Sequence, residues 1–248
     1  MENISSRKNP YIMRLRALAN DSELRRKEGE YLCDGHKLLY EAIDKGCVIT
    51  SVLWKEEAKP LPGLEKAKQY IATAELFDYA SPMKNSPGPI FTLSMPENPD
   101  VDFDKAILLE NVQDPGNVGT VIRTANALGM DAVILTGNCA DVFGAKTARA
   151  AMGALFRQTV LTMQQSEAVA WLHEQGLRVY GAALSDRAVD VRTVSLGDAA
   201  FVIGSEGQGL SEEMLSLCDG EVIIPMEPGS ESLNAGVAAA ILMWELAR

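Results

Sequence analysis

Apolar and polar positions follow a recognisable order between residues 106 and 135. Ala106–Leu109 is a short apolar run typical of a buried strand, and the turn-forming stretch Gln113–Gly116 follows it. From Val118 the apolar side chains fall at positions 118, 121, 122, 125 and 128, which is helical spacing, and Gly129 stands where glycine commonly ends a helix. A second apolar run, Ala132–Leu135, comes next. This order predicts a strand, a crossover helix and a strand, the unit of a parallel sheet.

Similar patterns continue to the end of the chain. Apolar runs predict strands, and helical periodicity bounded by capping residues predicts the helices between them. The predicted strands are Gln158–Thr162, Arg178–Leu184, Asp198–Ile203 and Glu221–Pro225, and the predicted helices are Ala145–Leu155, Ser166–Gln175, Ser211–Cys218 and Ser232–Arg248. Strands that alternate with helices indicate an α/β domain with a parallel sheet.

Residues 10–95 predict a smaller α/β domain that precedes this one. Its predicted helices are Pro10–Leu18, Gly35–Lys45 and Glu75–Tyr79, and its predicted strands are Glu30–Cys33, Val48–Trp54 and Ile90–Leu93. Met95–Asp102 contains two prolines and three acidic residues, which is typical of a linker. We therefore predict a first domain at 1–97, a linker at 98–104 and a second domain at 105–248.

The last predicted helix is apolar around most of its circumference. Leu233, Val237, Ile241 and Trp244 form one stripe, and several alanines, Leu242 and Met243 occupy much of the rest. A helix of this kind needs cover on nearly every side. A second subunit would supply it, and burial under the helix's own domain is the alternative.

Composition excludes several classes of protein. The chain has 248 residues, 47% of them hydrophobic, without an apolar run of transmembrane length or the apolar core of a signal peptide, so we expect a cytoplasmic protein. Four cysteines and two histidines are scattered without metal-binding spacing. This argues against a disulfide framework and predicts no metal site.

Charge is unevenly distributed along the chain. The whole chain carries −11, whereas residues 1–27 contain seven Lys or Arg and three acidic residues and so carry +4. A basic segment on an acidic body is compatible with a polyanionic partner such as RNA, and equally with a solvated amphipathic helix. The candidate RNA-binding cations are Arg7, Lys8, Arg14, Arg25, Arg26 and Lys27.

Polar side chains gather at the start of the crossover helix. Asn117, Thr120 and Arg123 recur at three-residue intervals near backbone N–H groups that lack intrahelical partners. This corner suits an anion or a ribose. A helix cap at Asn117 and an ordinary surface charge at Arg123 explain the pattern equally well.

Three loops that follow predicted strands can form a common site. They are Asn111–Arg123, the glycine-rich Gly204–Gly209, and Ile224–Asn234. Open parallel sheets bind ligands at the carboxyl ends of their strands, where these loops are expected to converge.

These loops carry motifs of a known family. The motifs are N-x-x-D-P-G-N-V-G-T-x-x-R-T-A-x-x-L-G at Asn111–Gly129, F-V-I-G-S-E-G-Q-G-L at Phe201–Leu210 and I-P-M-x-x-G-x-x-S-L-N-x-x-V-A at Ile224–Ala238. Together they resemble the three motifs of the SpoU or TrmH branch of the SPOUT RNA methyltransferases. The resemblance covers about the last 145 residues, and no motif position departs visibly from the pattern.

The resemblance implies methyl transfer from S-adenosylmethionine to the 2′-hydroxyl of an RNA ribose. It assigns activation of that hydroxyl to Arg123, either as a base or as an orienting group, because arginine is normally charged. The other polar site positions it implies are Asn117, Glu206, Ser232 and Asn234. The positions implied to cradle the cofactor are Gly204, Ile224 and Leu233.

The resemblance also implies an architecture and partners. It implies a catalytic domain with a parallel sheet and a C-terminal trefoil knot, although protein chains as a rule do not knot. Family members are typically homodimers, which agrees with the apolar final helix. The first part of the chain resembles a substrate-binding domain similar in fold to small ribosomal RNA-binding proteins.

The expected substrate is ribosomal RNA, ahead of transfer RNA. The alternative from another class is a non-catalytic RNA-binding or ribosome-associated module that retains the fold. A nucleotide-dependent enzyme of another kind is disfavoured, since the glycine spacing is wrong and no G-K-[ST] motif occurs.

Overall fold

The computed structural model describes residues 1–59, 61–97, 103–227, 229 and 232–248. The chain divides into two compact units. Unit 1 consists of residues 1–97 and 143–156, and unit 2 of residues 98–142 and 157–248. Five residues of the predicted linker, 98–102, lie outside the described part of the chain.

Unit 1 contains a mixed sheet with strand order β1-β4-β3-β5-β2, in which β2 and β3 each pair antiparallel with β5 and the other pairs are parallel. Its elements within the described residues are β1 (Glu2–Ile4), α1 (Pro10–Asn20), α2 (Ser22–Glu28), β2 (Glu30–Asp34), α3 (His36–Asp44), β3 (Ile49–Lys55), β4 (Lys68–Ala72), α4 (Ala74–Ala80), β5 (Ile90–Ser94) and α6 (Ala145–Ala150).

Unit 1 includes a segment that the sequence placed in the second domain. Residues 143–156 carry α6 and belong to this unit. The Phe143 ring contacts Tyr31, with centroids 4.9 Å apart, and Ala145 packs against a core that includes Phe77. The predicted helix Ala145–Leu155 is also shorter than expected, because α6 ends at Ala150 and a 3-10 turn covers Ala154–Phe156.

Unit 2 is built on a parallel sheet with strand order β10-β12-β9-β11-β6-β7-β8. Its elements within the described residues are β6 (Lys105–Glu110), α5 (Pro115–Leu128), β7 (Ala132–Thr136), β8 (Thr159–Thr162), α7 (Gln165–Glu174), β9 (Arg178–Ala182), β10 (Val189–Asp190), β11 (Ala199–Ile203), α8 (Glu212–Leu217), β12 (Gly220–Ile223) and α9 (Ala235–Ala247). The prediction of an α/β protein with a parallel second sheet is confirmed.

Helix α5 begins earlier than its apolar spacing predicted. Asp114 is the N-cap, and its side chain accepts a hydrogen bond from the Asn117 N–H at 2.9 Å. Pro115 at the first helical position suits this start, since proline has no N–H to leave unpaired. Asn117 therefore does not cap the helix, and its side chain is available for other contacts. Gly129 ends the helix with φ +71°, as predicted.

Helix α9 is buried along one side and exposed along the other. Ala235, Ala239, Leu242, Met243 and Leu246 are buried within unit 2. By contrast, Val237 and Trp244 are 48% and 61% exposed. Burial by its own domain thus explains only part of the apolar surface of α9. No helix in the described residues is both long and apolar enough to cross a membrane.

Candidate active site

The three predicted loops meet through an amide–carboxylate network at the carboxyl edge of the unit 2 sheet. The Asn117 side-chain amide donates a hydrogen bond to the Glu206 carboxylate. The Asn234 amide in turn donates to the Asn117 side-chain oxygen, over 3.0 Å. One residue from each motif therefore takes part, and the predicted convergence of these loops is observed in unit 2.

Asn234 also fixes the start of α9. Its side-chain oxygen accepts hydrogen bonds from the N–H groups of Gly236 and Val237, at 3.0 and 3.2 Å, which is the geometry of an N-cap. A Cβ added at Gly236 would lie 3.4 Å from both the Asn117 oxygen and a Thr120 methyl group. The start of α9 therefore packs closely on α5, and this packing sets the position of the network.

A buried carboxylate, Glu110, anchors the segment that follows the glycine-rich loop. Glu110, at the end of β6, is fully buried and accepts hydrogen bonds from the Ser211 N–H and hydroxyl, at 2.9 and 2.6 Å, and from the Gln165 amide. Ser211 caps α8 just after the glycine-rich loop, so Glu110 ties the end of that loop to the sheet. Glu110 was not predicted as a site residue, although its position as an acidic residue at the end of an apolar run indicates a special role.

The glycine-rich loop closes tightly on itself. Ser205 and Gly209 exchange backbone hydrogen bonds of 3.1 and 2.9 Å. A Cβ on Gly204 would lie 2.1 Å from the Gly209 carbonyl carbon, whereas a Cβ on Gly207 would meet nothing within 4 Å. Gly204 is therefore required by the loop's own geometry.

The remaining predicted residues lie at the same edge of the sheet without joining the network. Gly204 and Ile224 follow β11 and β12, and Leu233 and Ser232 precede the Asn234 cap. Leu233 is 36% exposed and Ser232 is exposed.

Arg123 lies outside the network. It is on α5, nearly two turns beyond Asn117, and it is exposed. Within the part of the chain that the structure describes, its guanidinium forms no hydrogen bond or ion pair. This cation is thus available to a ligand.

Three of the predicted RNA-binding cations in residues 1–27, namely Arg7, Arg14 and Arg25, have partners inside unit 1. Arg25 is 4% exposed and donates to the Leu18 carbonyl, which argues against its predicted contact with RNA. Arg14 pairs with Glu28 and Glu30, at 2.5 and 2.9 Å. Arg7 lies at the surface, as do Lys8, Arg26 and Lys27.

No set of three or more His, Cys, Asp or Glu side chains suited to a metal occurs among the described residues. Cys139 and Cys218 are partly buried free thiols whose pKa values are raised by desolvation, Cys218 to about 12. Neither cysteine is therefore a ready nucleophile or metal ligand.

The chain is similar to known proteins over its whole length. It is 34% identical to the 23S rRNA (guanosine(2553)-2′-O)-methyltransferase RlmP of Bacillus subtilis, and the match covers 99% of each chain. Its fold matches the crystal structure of an AdoMet-bound rRNA methyltransferase from Sinorhizobium meliloti with a TM-score of 0.87 and 25% identity, covering 98% of this chain and 96% of that one.

A second cofactor-bound structure gives the same result. The SpoU methyltransferase AviRb of Streptomyces viridochromogenes, in complex with AdoMet, matches with a TM-score of 0.86 and 25% identity over 97% of each chain. The sequence profile of the SpoU rRNA methylase family matches residues 104–244. The expectation of an S-adenosylmethionine-dependent RNA methyltransferase is confirmed, and this chain belongs to the SpoU rRNA methylase family.

Proposed function

We propose that this protein transfers a methyl group from S-adenosylmethionine to the ribose 2′-hydroxyl of one nucleotide in large-subunit ribosomal RNA. The observation that carries the proposal is the network of Asn117, Glu206 and Asn234, which joins one residue from each motif at the carboxyl edge of a parallel sheet. The similarity to RlmP over the full chain supports ribosomal RNA as the substrate.

The residues at this edge fit S-adenosylmethionine. Gly204, Ile224 and Leu233 offer backbone groups and apolar surface without charge, which suits an adenine ring and a methionine chain. Leu233 leaves 36% of its surface exposed directly before a helix cap, so it offers apolar surface to a cofactor at this edge. When bound, the cofactor supplies an electrophilic sulfonium methyl group.

The chain's own residues then orient and activate the ribose. Asn117 is held at both ends by Glu206 and Asn234, so its position is fixed before the substrate arrives. We assign to Arg123 the orientation of an RNA phosphate and of the 2′-hydroxyl, because an exposed, unpaired guanidinium binds phosphate well. Ser232 is assigned a contact to the ribose or the phosphate.

Four exposed cations in residues 1–27 are still candidates for contact with RNA. They are Arg7, Lys8, Arg26 and Lys27. Arg7 is the weakest of them, because it pairs with Glu75 at 2.5 Å.

We also propose a homodimer formed through α9. The exposed Val237 and Trp244, with the half-buried Ile241, form an apolar stripe that a second copy would cover. Sedimentation of the wild type and of V237S/W244S tests this, and we expect a dimer and a folded monomer respectively. A wild-type monomer at micromolar concentration would refute the dimer.

A C-terminal trefoil knot, which follows from family membership, and a cytoplasmic location, which was expected from composition, remain proposals. One feature supports the knot: β12 pairs with β9, after which the chain returns so that α9 packs on α5 and β11.

The proposed function is tested with labelled S-adenosylmethionine and unmodified transcripts of ribosomal and transfer RNA. We expect label at one alkali-resistant linkage in large-subunit ribosomal RNA. Label only in transfer RNA would reassign the substrate. Cofactor binding without transfer to either RNA would instead favour a non-catalytic module.

A further inference from the structure

Unit 1 contains a small pocket lined by cations from three separate segments. The pocket has a volume of about 170 Å³ and is lined in part by Lys37 of α3, Lys84 of the α4–β5 loop and Arg149 of α6. All three belong to unit 1, although α6 lies more than fifty residues further along the sequence than β5. The fold therefore brings together three positive charges that are distant in the sequence.

The side chains of these three cations have no hydrogen-bonded or ion-paired partner among the described residues, although the positive charge of Arg149 opposes the rise that burial causes in the pKa of Asp34. Lys37, Lys84 and Arg149 are all exposed. Arg14 and Arg25 show the opposite behaviour in the same unit, since both are bound to carboxylates or carbonyls. Unpaired cations that face a common pocket favour an anionic ligand.

The acidic residue in the pocket, Asp34, is bound to serine hydroxyls of the protein and cancels only part of this charge. Both oxygens of Asp34 accept hydrogen bonds from serine hydroxyls, one from Ser81 at 2.8 Å and the other from Ser86. Ser81 and Ser86 flank Lys84, so these two bonds fix the loop on both sides of that residue. Asn85 in the same loop adopts a left-handed φ of +55°. One carboxylate against three cations leaves the pocket with a formal charge of +2.

The start of α3 adds to this field. Gly35, its N-cap residue, lines the pocket and provides no side-chain cap. The first N–H groups of the helix therefore contribute partial positive charge near Lys37.

The size of the pocket limits what can enter it. A volume of 170 Å³ is several times the ~30 Å³ that a water molecule occupies in the liquid, which is enough for one phosphate group. The adjoining cleft shares Pro87 but has two lysines and two glutamates, Lys55, Lys59, Glu56 and Glu57, so it lacks net charge. Of these two neighbouring pockets, only the first therefore carries a net positive charge.

We propose that the pocket formed by Lys37, Lys84 and Arg149 binds one backbone phosphate of the substrate RNA. The inference rests on the proposed function for the identity of the RNA. It adds a phosphate contact of unit 1 that lies outside the basic segment 1–27.

The test measures affinity for a large-subunit ribosomal RNA transcript as a function of salt concentration. The full chain is compared with K37Q/K84Q/R149Q. The matched control is K45Q/K66Q/K68Q, which changes the same number of charges at exposed unit 1 lysines outside the pocket. Cofactor binding and melting temperature are measured for each variant to verify folding.

We expect the pocket variant to bind RNA about tenfold or more weakly, and its salt slope to fall by about 1, as for the loss of one phosphate contact. The control should stay within about threefold of the wild type. Equal losses in both triple variants, or an unchanged salt slope in the pocket variant, would overturn the proposal.

A competition with inorganic phosphate separates an RNA site from a site for the free ion. If phosphate protects the wild-type pocket from lysine acetylation while the pocket variant binds RNA normally, the RNA proposal is wrong. Binding is read independently of turnover. A wild type that binds RNA but transfers no methyl group would therefore refute the proposed function and leave this inference standing.

Discussion

The polar groups of the two units are arranged in opposite ways. At the carboxyl edge of the unit 2 sheet, Asn117, Glu206 and Asn234 are hydrogen-bonded to one another. In the unit 1 pocket, Lys37, Lys84 and Arg149 have no such partners within the described residues.

This difference indicates a division of labour, in which unit 2 carries the chemistry and unit 1 binds RNA. Groups that must hold a precise geometry are fixed by bonds inside the protein, because orientation prepared in advance lowers the barrier to reaction. Groups that bind a polyanion are left unpaired, because an internal partner would compete with phosphate. Arg123 belongs to the second type by its contacts, although it lies on the same helix as Asn117.

Removal of the Arg123 guanidinium should have the largest effect on activity. We expect R123A to lower kcat by about 10²- to 10⁴-fold, the range typical for loss of a group that acts in proton transfer or orientation. Cofactor affinity should be unchanged, as measured by calorimetry. R178A, which removes an exposed arginine at the start of β9, is the control and should keep full activity. A normal kcat in R123A would remove Arg123 from the mechanism.

Asn234 has two roles, in the hydrogen-bond network and as the N-cap of α9, and substitutions at this position can separate them. N234D keeps an N-cap, since Asp and Asn cap equally well, but it removes the donor to the Asn117 oxygen. Asn117 would then face carboxylates at both ends and could not present its NH₂ group to both.

We therefore expect N234D to lower kcat about 10²-fold with little change in melting temperature. N234A should lose activity and also about 1 kcal/mol of stability, measured by urea unfolding. Full activity in N234D would show that the network does not position the reacting groups.

Alanine substitutions at two glycines of the glycine-rich loop, Gly204 and Gly207, provide a matched test of whether this loop binds the cofactor. G204A places a methyl group 2.1 Å from the Gly209 carbonyl carbon and should cost about 1–3 kcal/mol of stability, with weakened cofactor binding. G207A meets nothing within 4 Å and should stay within about 0.5 kcal/mol of the wild type. Calorimetric titration of cofactor into both variants provides the measurement, and equal affinities would refute a cofactor role for this loop.

A single pocket cation should have the smallest effect. K84Q removes one exposed charge, so we expect KM for RNA to rise about three- to fivefold, which corresponds to about 0.6–1 kcal/mol, with kcat unchanged. Steady-state kinetics at low and high salt measure this, and the difference should shrink at high salt. A difference that persists at high salt would argue against a phosphate contact.

The sequence predicted the apolar strands of both units better than the short or polar ones. Strands such as Ala132–Leu135 were found because buried strands of a parallel sheet are continuous apolar runs. Strands β1, β4 and β10 were not predicted, because they are short or contain polar side chains.

Sequence patterns did not predict the individual contacts between segments that are distant in the chain. Convergence of the three loops followed from the rule for parallel sheets, but the bond between Asn117 and Glu206 did not. The basic segment was conspicuous in the sequence, yet Arg25 proved to be structural. Arg149 was not singled out, because only the fold brings α6 into unit 1 beside Lys37 and Lys84.

The most direct test of this division of labour is a comparison of kcat and KM for methyl transfer to ribosomal RNA in R123A, N234D and K37Q/K84Q/R149Q. We predict that the two unit 2 variants lose kcat with nearly normal KM, whereas the pocket variant raises KM and regains wild-type kcat at saturating RNA. A pocket variant with low kcat and normal KM, or unit 2 variants that change KM alone, would contradict the assignment of chemistry to one unit and RNA binding to the other.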